Sequence, residues 1–212
     1  MTLWQFWTQT GVQITAVIAT LLMALIAIWG ERIRARISGP RLVLGLADAN
    51  GEAIRLSDGT PSRFYHLCLR NERRASKANN VRVVLTSVNR PAADGTMPAS
   101  PLTGPVQLVW QHDHSLPQFP TVGPSLNAAL GVVTANGFRL TPLFVPNNLD
   151  VHLAKGDRLL VEAIALTDEA ESNPVRIEIA WDGHWSEDSG QMARHLVVKN
   201  VDLTPNRVAG GR

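Results

Sequence analysis

Three short stretches of this chain carry side chains capable of chemistry. His112-Asp113-His114 is the sharpest. Two imidazoles one residue apart on a strand project from the same side, so both can ligate one metal ion. Two further ligands are needed, which Asp182 or His184 can supply, and the set would suit a metal-dependent hydrolase. The ligand pattern is incomplete, so these residues are read as a solvated loop and no metal ligand or cofactor is assigned. The second stretch, Trp181-Asp-Gly-His-Trp-Ser-Glu-Asp188, combines two indoles, three acids and an imidazole. Trp181 is expected in the core. Trp185 and His184 are candidate contacts for a ligand or protein partner, since indoles stack on small molecules and anchor interfaces. The third is a basic loop of Arg70, Arg73, Arg74 and Lys77 around Glu72. A solvated turn is its plainest reading. Arg73 and Arg74 are the candidates there for lipid headgroups or an anionic ligand such as a nucleotide. Asp168, Glu169 and Glu171 fit no calcium loop and read as decoration of the turn before Pro174. The chain has no Gly-rich phosphate loop, nucleophile elbow or HExxH motif, so a non-enzyme is expected, with no catalytic residue.

The elements behind these residues fall into two unlike parts. Residues 1–30 contain no Asp, Glu, Lys or Arg. Within them, Gly11 to Trp29 is an uncharged run of 19 residues, about 28 Å as a helix and close to the ~30 Å hydrocarbon core of a bilayer. Trp4 and Trp7 precede the run and Trp29 ends it, which sets indoles at both interfaces. A cleaved signal peptide would need a basic n-region, and none is present. The expected organisation is a short extracytoplasmic segment over 1–10, a transmembrane helix over 11–30 and a basic juxtamembrane linker over 31–41. A soluble domain over 42–200 and a flexible tail over 201–212 follow.

Charge sets the expected orientation. Residues 31–41 hold Glu31 against Arg32, Arg34, Arg36 and Arg41, a net of +3. The positive-inside rule then puts the N-terminus outside and the soluble domain in the cytoplasm, anchored in the inner (plasma) membrane. Arg32, Arg34 and Arg36 join Trp4, Trp7 and Trp29 as the membrane-interface residues. The sequence pI of about 9.1 comes from this cluster. Residues 42–212 carry 16 basic and 17 acidic groups, so nucleic acid is not an expected partner. Ala16, Ala19, Thr20, Ala24 and Ala27 are small enough for close helix pairing, so a homo-oligomer through the helix is open.

Ser38-Gly39-Pro40 reads as a helix stop. Beyond it, short apolar runs alternate with turn residues. Strands are predicted at 42–46, 63–70, 80–86, 106–110, 138–145, 157–166, 175–181 and 194–199. Tyr65, Leu67 and Leu69 share one face, as do Val81, Val83 and Leu85. Val175, Ile177, Ile179 and Trp181 point inward on the most regular strand. Residues 91–105 contain four prolines and form a long loop, and residues 111–126 are irregular. Asp182-Gly183 signals a turn. No soluble helix is predicted. Seven to nine strands imply an all-β, immunoglobulin-like β-sandwich with long loops.

The stretches Phe64-Tyr-His-Leu-Cys-Leu-Arg-Asn71 and Ala78-Asn-Asn-Val-Arg-Val-Val-Leu85 resemble the strand–loop–strand pattern of bacterial immunoglobulin-like domains of the CARDB type. Residues 63–199 also resemble uncharacterised bacterial single-pass membrane proteins, most of all in Ile-Glu-Ile-Ala-Trp-Asp-Gly and Arg-His-Leu-Val-Val. The resemblance implies a β-sandwich and transfers no catalytic residues. CARDB-type domains are mostly extracellular adhesion modules, opposite to the orientation read from charge. The expected function is a non-catalytic protein-binding or scaffold module at the cytoplasmic face, with an apolar patch near Phe119, Phe144 or Trp185. The alternatives are a sensor with an Arg- and Trp-lined pocket for a small anion and, with reversed topology, an envelope or adhesion domain.

Overall fold

A computed structural model describes residues 3–73, 76–92, 96–112 and 125–201; in the first helix it describes the side chains of residues 13–30 only. The chain divides into two units, Met1–Gly39 and Pro40–Arg212. The first is one helix, α1 (Leu3–Ser38). It runs unbroken through the segments that the sequence separates at residues 10 and 30, and it stops where Gly39 and Pro40 follow. Its stretch Gln13–Gly30 is long and apolar enough to cross a membrane. Ile26 and Ile28 there are 67% and 69% exposed. The hydroxyl of Thr20 donates to the Ala16 carbonyl at 2.8 Å, which removes its polarity from the helix surface.

The second unit is mostly β-structure, in two antiparallel sheets. Its strands are β1 (Leu42–Leu46), β2 (Glu52–Arg55), β3 (Pro61–Asn71), β4 (Arg82–Asn89), β5 (Val106–Gln107), β6 (Ser125–Thr134), β7 (Gly137–Leu140), β8 (His152–Leu153), β9 (Arg158–Leu166), β10 (Val175–Trp181) and β11 (Leu196–Asn200). One sheet has the order β1-β3-β6-β7-β8, with β2 also on β3; the other has the order β11-β10-β9-β4-β5. The long β3 has room on one edge for both β1, from Leu42 opposite Asn71 to Leu46 opposite Leu67, and β2, from Glu52 opposite Phe64 to Arg55 opposite Pro61.

Period-2 alternation explains which faces meet. Tyr65, Leu67 and Leu69 on β3, Val83 and Leu85 on β4, and Leu159, Val161, Ala163 and Ala165 on β9 are fully or almost fully buried. With Ile177, Ile179 and Trp181 they join one hydrophobic core shared by both sheets. Each fully buried Leu or Ile contributes about 1.5–3 kcal/mol of transfer free energy. Val106, Leu108 and Trp110 belong to the same core, so the chain after the proline-rich loop packs on the domain.

The structure departs from the sequence reading in several places. The run 138–145 is extended only to Leu140; Pro142 adds one isolated bridge to Leu108. The closing strand starts at Leu196, because Arg194 and His195 end a short helix, α2 (Ser189–His195). That helix also corrects the expectation of no soluble helix. Asp188 caps it, accepting from the Gln191 N–H at 2.8 Å, and Met192 is its buried residue. Asp182-Gly183 is therefore not a tight hairpin: the connection from β10 to β11 includes α2.

Candidate functional site

Three surface features of the β domain can recognise another molecule. The first lies on the outward face of the sheet centred on β3. A row of cross-strand partners runs over it: Glu52 opposite Phe64, Phe64 opposite Val132, Val132 opposite Arg139, and Arg139 opposite His152. Side chains on one face of adjacent paired strands are close neighbours. Phe64 also stacks on His66, with centroids 6.1 Å apart. A groove of about 620 Å³ follows this row, lined by Phe64, Val132 and Arg139 together with Leu56, Pro142 and Val145. Beside it, Phe144 is 78% exposed. Among the described residues, Arg139 has no ion-pair partner.

The opposite outward face is chemically different. Arg176 bonds Glu162 at 2.9 Å, Lys199 meets Glu178 at 3.1 Å and Arg158 approaches Glu178 at 3.9 Å. Strand pairing sets two of these contacts: Glu162 faces Arg176, and Glu178 faces Lys199.

The second feature is a pocket of about 250 Å³ between the β2–β3 hairpin and the loop after β10, lined by Ile54, Arg55, Pro61, Arg63, Trp185 and Glu187, among others. Arg63 is 1% exposed. Its Nη1 donates to the carbonyls of Asn50 and Gly51 at 3.0 and 3.2 Å, and its Nη2 to the carbonyl of Glu187 at 3.0 Å. Its Nε has no partner among the described residues. No carboxylate pairs with it among those residues, so its charge is balanced by carbonyl dipoles alone. Arg55 at the rim pairs with Glu187 at 3.2 Å. Gly51 makes the turn over Arg63. Its φ is +66°, and an added Cβ would lie 2.9 Å from Arg63 Cγ and 2.8 Å from the Phe64 carbonyl oxygen.

The third feature starts where the β10–β11 ladder ends. Trp181 faces Leu196, and the next N–H, that of Asp182, donates to the His195 carbonyl at 3.0 Å. Asp182 Oδ1 accepts the His184 N–H at 2.9 Å and lies 3.2 Å from His184 Nδ1. Oδ2 lies 2.8 Å from His195 Nδ1. The side-chain bond to His195, with the His184 N–H, holds the Asp182 carboxyl down to about 2.

The sequence-predicted residues scatter. Trp4, Trp7, Arg32, Arg34 and Arg36 lie on α1, where their side chains are outside the described part; Trp29 is 54% exposed. Arg73 lies in the β3–β4 loop, its N–H bonded to Asn71 Oδ1 at 3.1 Å. Glu72 pairs with Arg41 at 3.2 Å. Arg74, Asp113, His114 and Phe119 lie outside the described residues, as does the tail from residue 202. Trp185 packs partly on the core and walls the second feature. His184 converges with Asp182 and His195, and that group does not contain His112. Asn79 bonds Glu169 at 3.3 Å and Asn80 bonds Asp168, so these acids tie two loops together. Sequence reasoning missed Arg63 and His195. Arg63 stands at the first position of the predicted strand 63–70, where alternation with Tyr65 and Leu67 is the signal for its burial. His195 falls in the predicted strand 194–199, and only an antiparallel return from Trp181 sets it against Asp182.

Compared with known proteins, the chain matches no family model and no curated protein.

Proposed function

We propose that this chain is a single-pass, membrane-anchored recognition protein of the inner (plasma) membrane. Its two-sheet domain is immunoglobulin-like and non-catalytic, and it binds a protein partner at the cytoplasmic face. The observation that carries this reading is the groove along Phe64, Val132, Arg139 and the exposed Val145, with Phe144 exposed next to Val145 in the chain. Apolar surface of this kind marks interaction sites on soluble domains. Arg139 in the groove, without an ion-pair partner among the described residues, defines the partner's chemistry: an apolar segment that carries a carboxylate. The orientation rests on the four Arg against one Glu in residues 31–41, and the apolar Gln13–Gly30 supplies the anchor.

Two measurements test this. Reporters active only in the cytoplasm or only outside it, fused in turn after Arg212, read the topology; activity of the outside reporter alone would reverse it and favour an envelope or adhesion role. Val132→Glu with Phe144→Glu places charge in and beside the groove. It is expected to weaken partner recovery from solubilised membranes at least tenfold with the fold intact; unchanged recovery would reject the groove.

A second reading has its own observation. Arg63, Arg55 and Trp185 line the smaller pocket, as a small-anion sensor requires. The buried Arg63, which pairs with no carboxylate among the described residues, makes its wall electropositive, and the indole supplies a stacking surface. Saturable quenching of Trp185 by a nucleotide or inorganic phosphate, absent in Trp185→Phe, supports it; no response up to millimolar ligand removes it.

A further inference from the structure

We infer that Asp182, His184 and His195 form a binding site for a borderline divalent transition ion, of which Zn²⁺ is the test case. This inference is independent of the groove and of the anion pocket. Each of the three residues offers a ligand atom, and these atoms lie within 4.8 Å of one another. The donors are two imidazoles and one carboxylate, the set preferred by Zn²⁺ and its neighbours over Mg²⁺ or Ca²⁺, which favour oxygen. The scale fits. Ligand bonds of about 2.0–2.2 Å in a tetrahedron place donor atoms about 3.3–3.5 Å apart. Asp182 Oδ1 lies 3.2 Å from His184 Nδ1 and Oδ2 lies 2.8 Å from His195 Nδ1, and the imidazole centroids are 5.2 Å apart. Small rotations of exposed side chains bring the three donors onto one ion.

The backbone prepares this arrangement. Asp182 and His195 are held opposite each other by the Asp182 N–H bond to the His195 carbonyl. His184 is turned back by its own N–H bond to Asp182 Oδ1. Gly183 permits that reversal with φ at +90°. The Trp181 indole donates to the His184 carbonyl at 3.3 Å, which ties the turn to the core. Three protein ligands on a surface leave a fourth position for water or for a donor from another molecule, the pattern of an open zinc site. The side chains of His184 and Asp182 are 63% and 47% exposed, so the ion enters without unfolding. A bound ion would clip the start of the Asp182–His195 connection to its end, across the loop that carries Trp185 and Glu187.

The test uses the full chain without a histidine tag, in detergent micelles, titrated with Zn²⁺ against a chromophoric chelator. One Zn²⁺ per chain at micromolar or tighter affinity is expected. His184→Ala and Asp182→Asn should each weaken it at least tenfold, with far-UV circular dichroism unchanged. His112→Ala should keep wild-type affinity. Co²⁺ should give the intense visible absorption of a four-coordinate site, lost in His184→Ala. Wild-type affinity in both His184→Ala and Asp182→Asn, or no binding tighter than 100 µM in the wild type, would overturn the assignment.

Discussion

The two outward faces of the β domain are built from the same kind of strand and end in opposite chemistry. On one, Glu162 meets Arg176 and Glu178 meets Lys199 across the ladder, while Arg82 on the same face of β4 has no ion-pair partner among the described residues. On the other, the cross-strand row passes from Phe64 to Val132 to Arg139, and the cation has no anion among the described residues. A face that pairs most of its charges gains little by docking. A face that leaves an aromatic, a valine and a lone guanidinium in water gains by covering the first two and pairing the third. The contrast favours the face centred on β3 as the side of the proposed partner contact.

The strongest way to break the contrast is to exchange the chemistry of the faces. Val132→Glu with Phe144→Glu should abolish partner recovery. Glu178→Ala with Lys199→Ala should leave it unchanged and cost no more than about 1 kcal/mol of stability, the ordinary worth of a surface pair. Equal losses from both pairs would remove the distinction. Next in size is the core that holds the faces apart. Leu67→Ala leaves a cavity at a fully buried position and should cost about 2–5 kcal/mol in denaturant unfolding, with anchoring through α1 unchanged.

A smaller effect is expected at Gly51, whose positive φ and contact with Arg63 penalise any side chain. Gly51→Ala should cost about 1–3 kcal/mol and disturb the Arg63 pocket while the groove still binds. The smallest concerns Tyr65, the one tyrosine of the chain. Its ring is fully buried against Phe138, and its hydroxyl has no partner among the described residues. Burial pushes its phenol up to about 12, with Arg63 pulling slightly the other way. The unfolded phenol ionises near 10 and the folded one only at about 12, so stability is unaffected below pH 10 and falls as pH rises from 10 to about 12. Ultraviolet titration of the native chain should show no phenolate near pH 10. Tyr65→Phe should be neutral or mildly stabilising, since it removes a buried hydroxyl that bonds nothing; a loss above about 2 kcal/mol would reveal a hidden partner.

Much of this domain was legible where one face is buried and the other wet. Tyr65-Leu67-Leu69, Val83-Leu85, Leu159–Ala165 and Ile177-Ile179-Trp181 alternate in the sequence and are buried as that alternation predicts. The strands that escaped notice lack the signal for identifiable reasons. In β6, a register shift opposite Tyr65 and His66 moves the core-facing positions from Ala128 and Leu130 to Val133, which breaks the period of two. β2 is exposed at every residue, and β8 is two residues long. α2 spans seven residues with one buried side chain, too short for a 3.6-residue period to show.

The candidate sites were less legible because they depend on pairing between distant strands. The Trp181–Asp188 stretch was singled out for its residue types, yet its partners Arg63 and His195 come from β3 and the end of α2. The groove needed the register of β3, β6 and β7 together, and β6 was the strand the pattern hid.

One measurement bears most directly on the contrast between the faces. A photo-activatable amino acid replaces Phe144 in one full-length chain and Lys199 in another, and both are irradiated in intact cells. The account predicts a discrete adduct from position 144 that disappears when Val132→Glu is added, and none from position 199. Adducts of equal yield from both positions, or one at 144 that survives Val132→Glu, would contradict it.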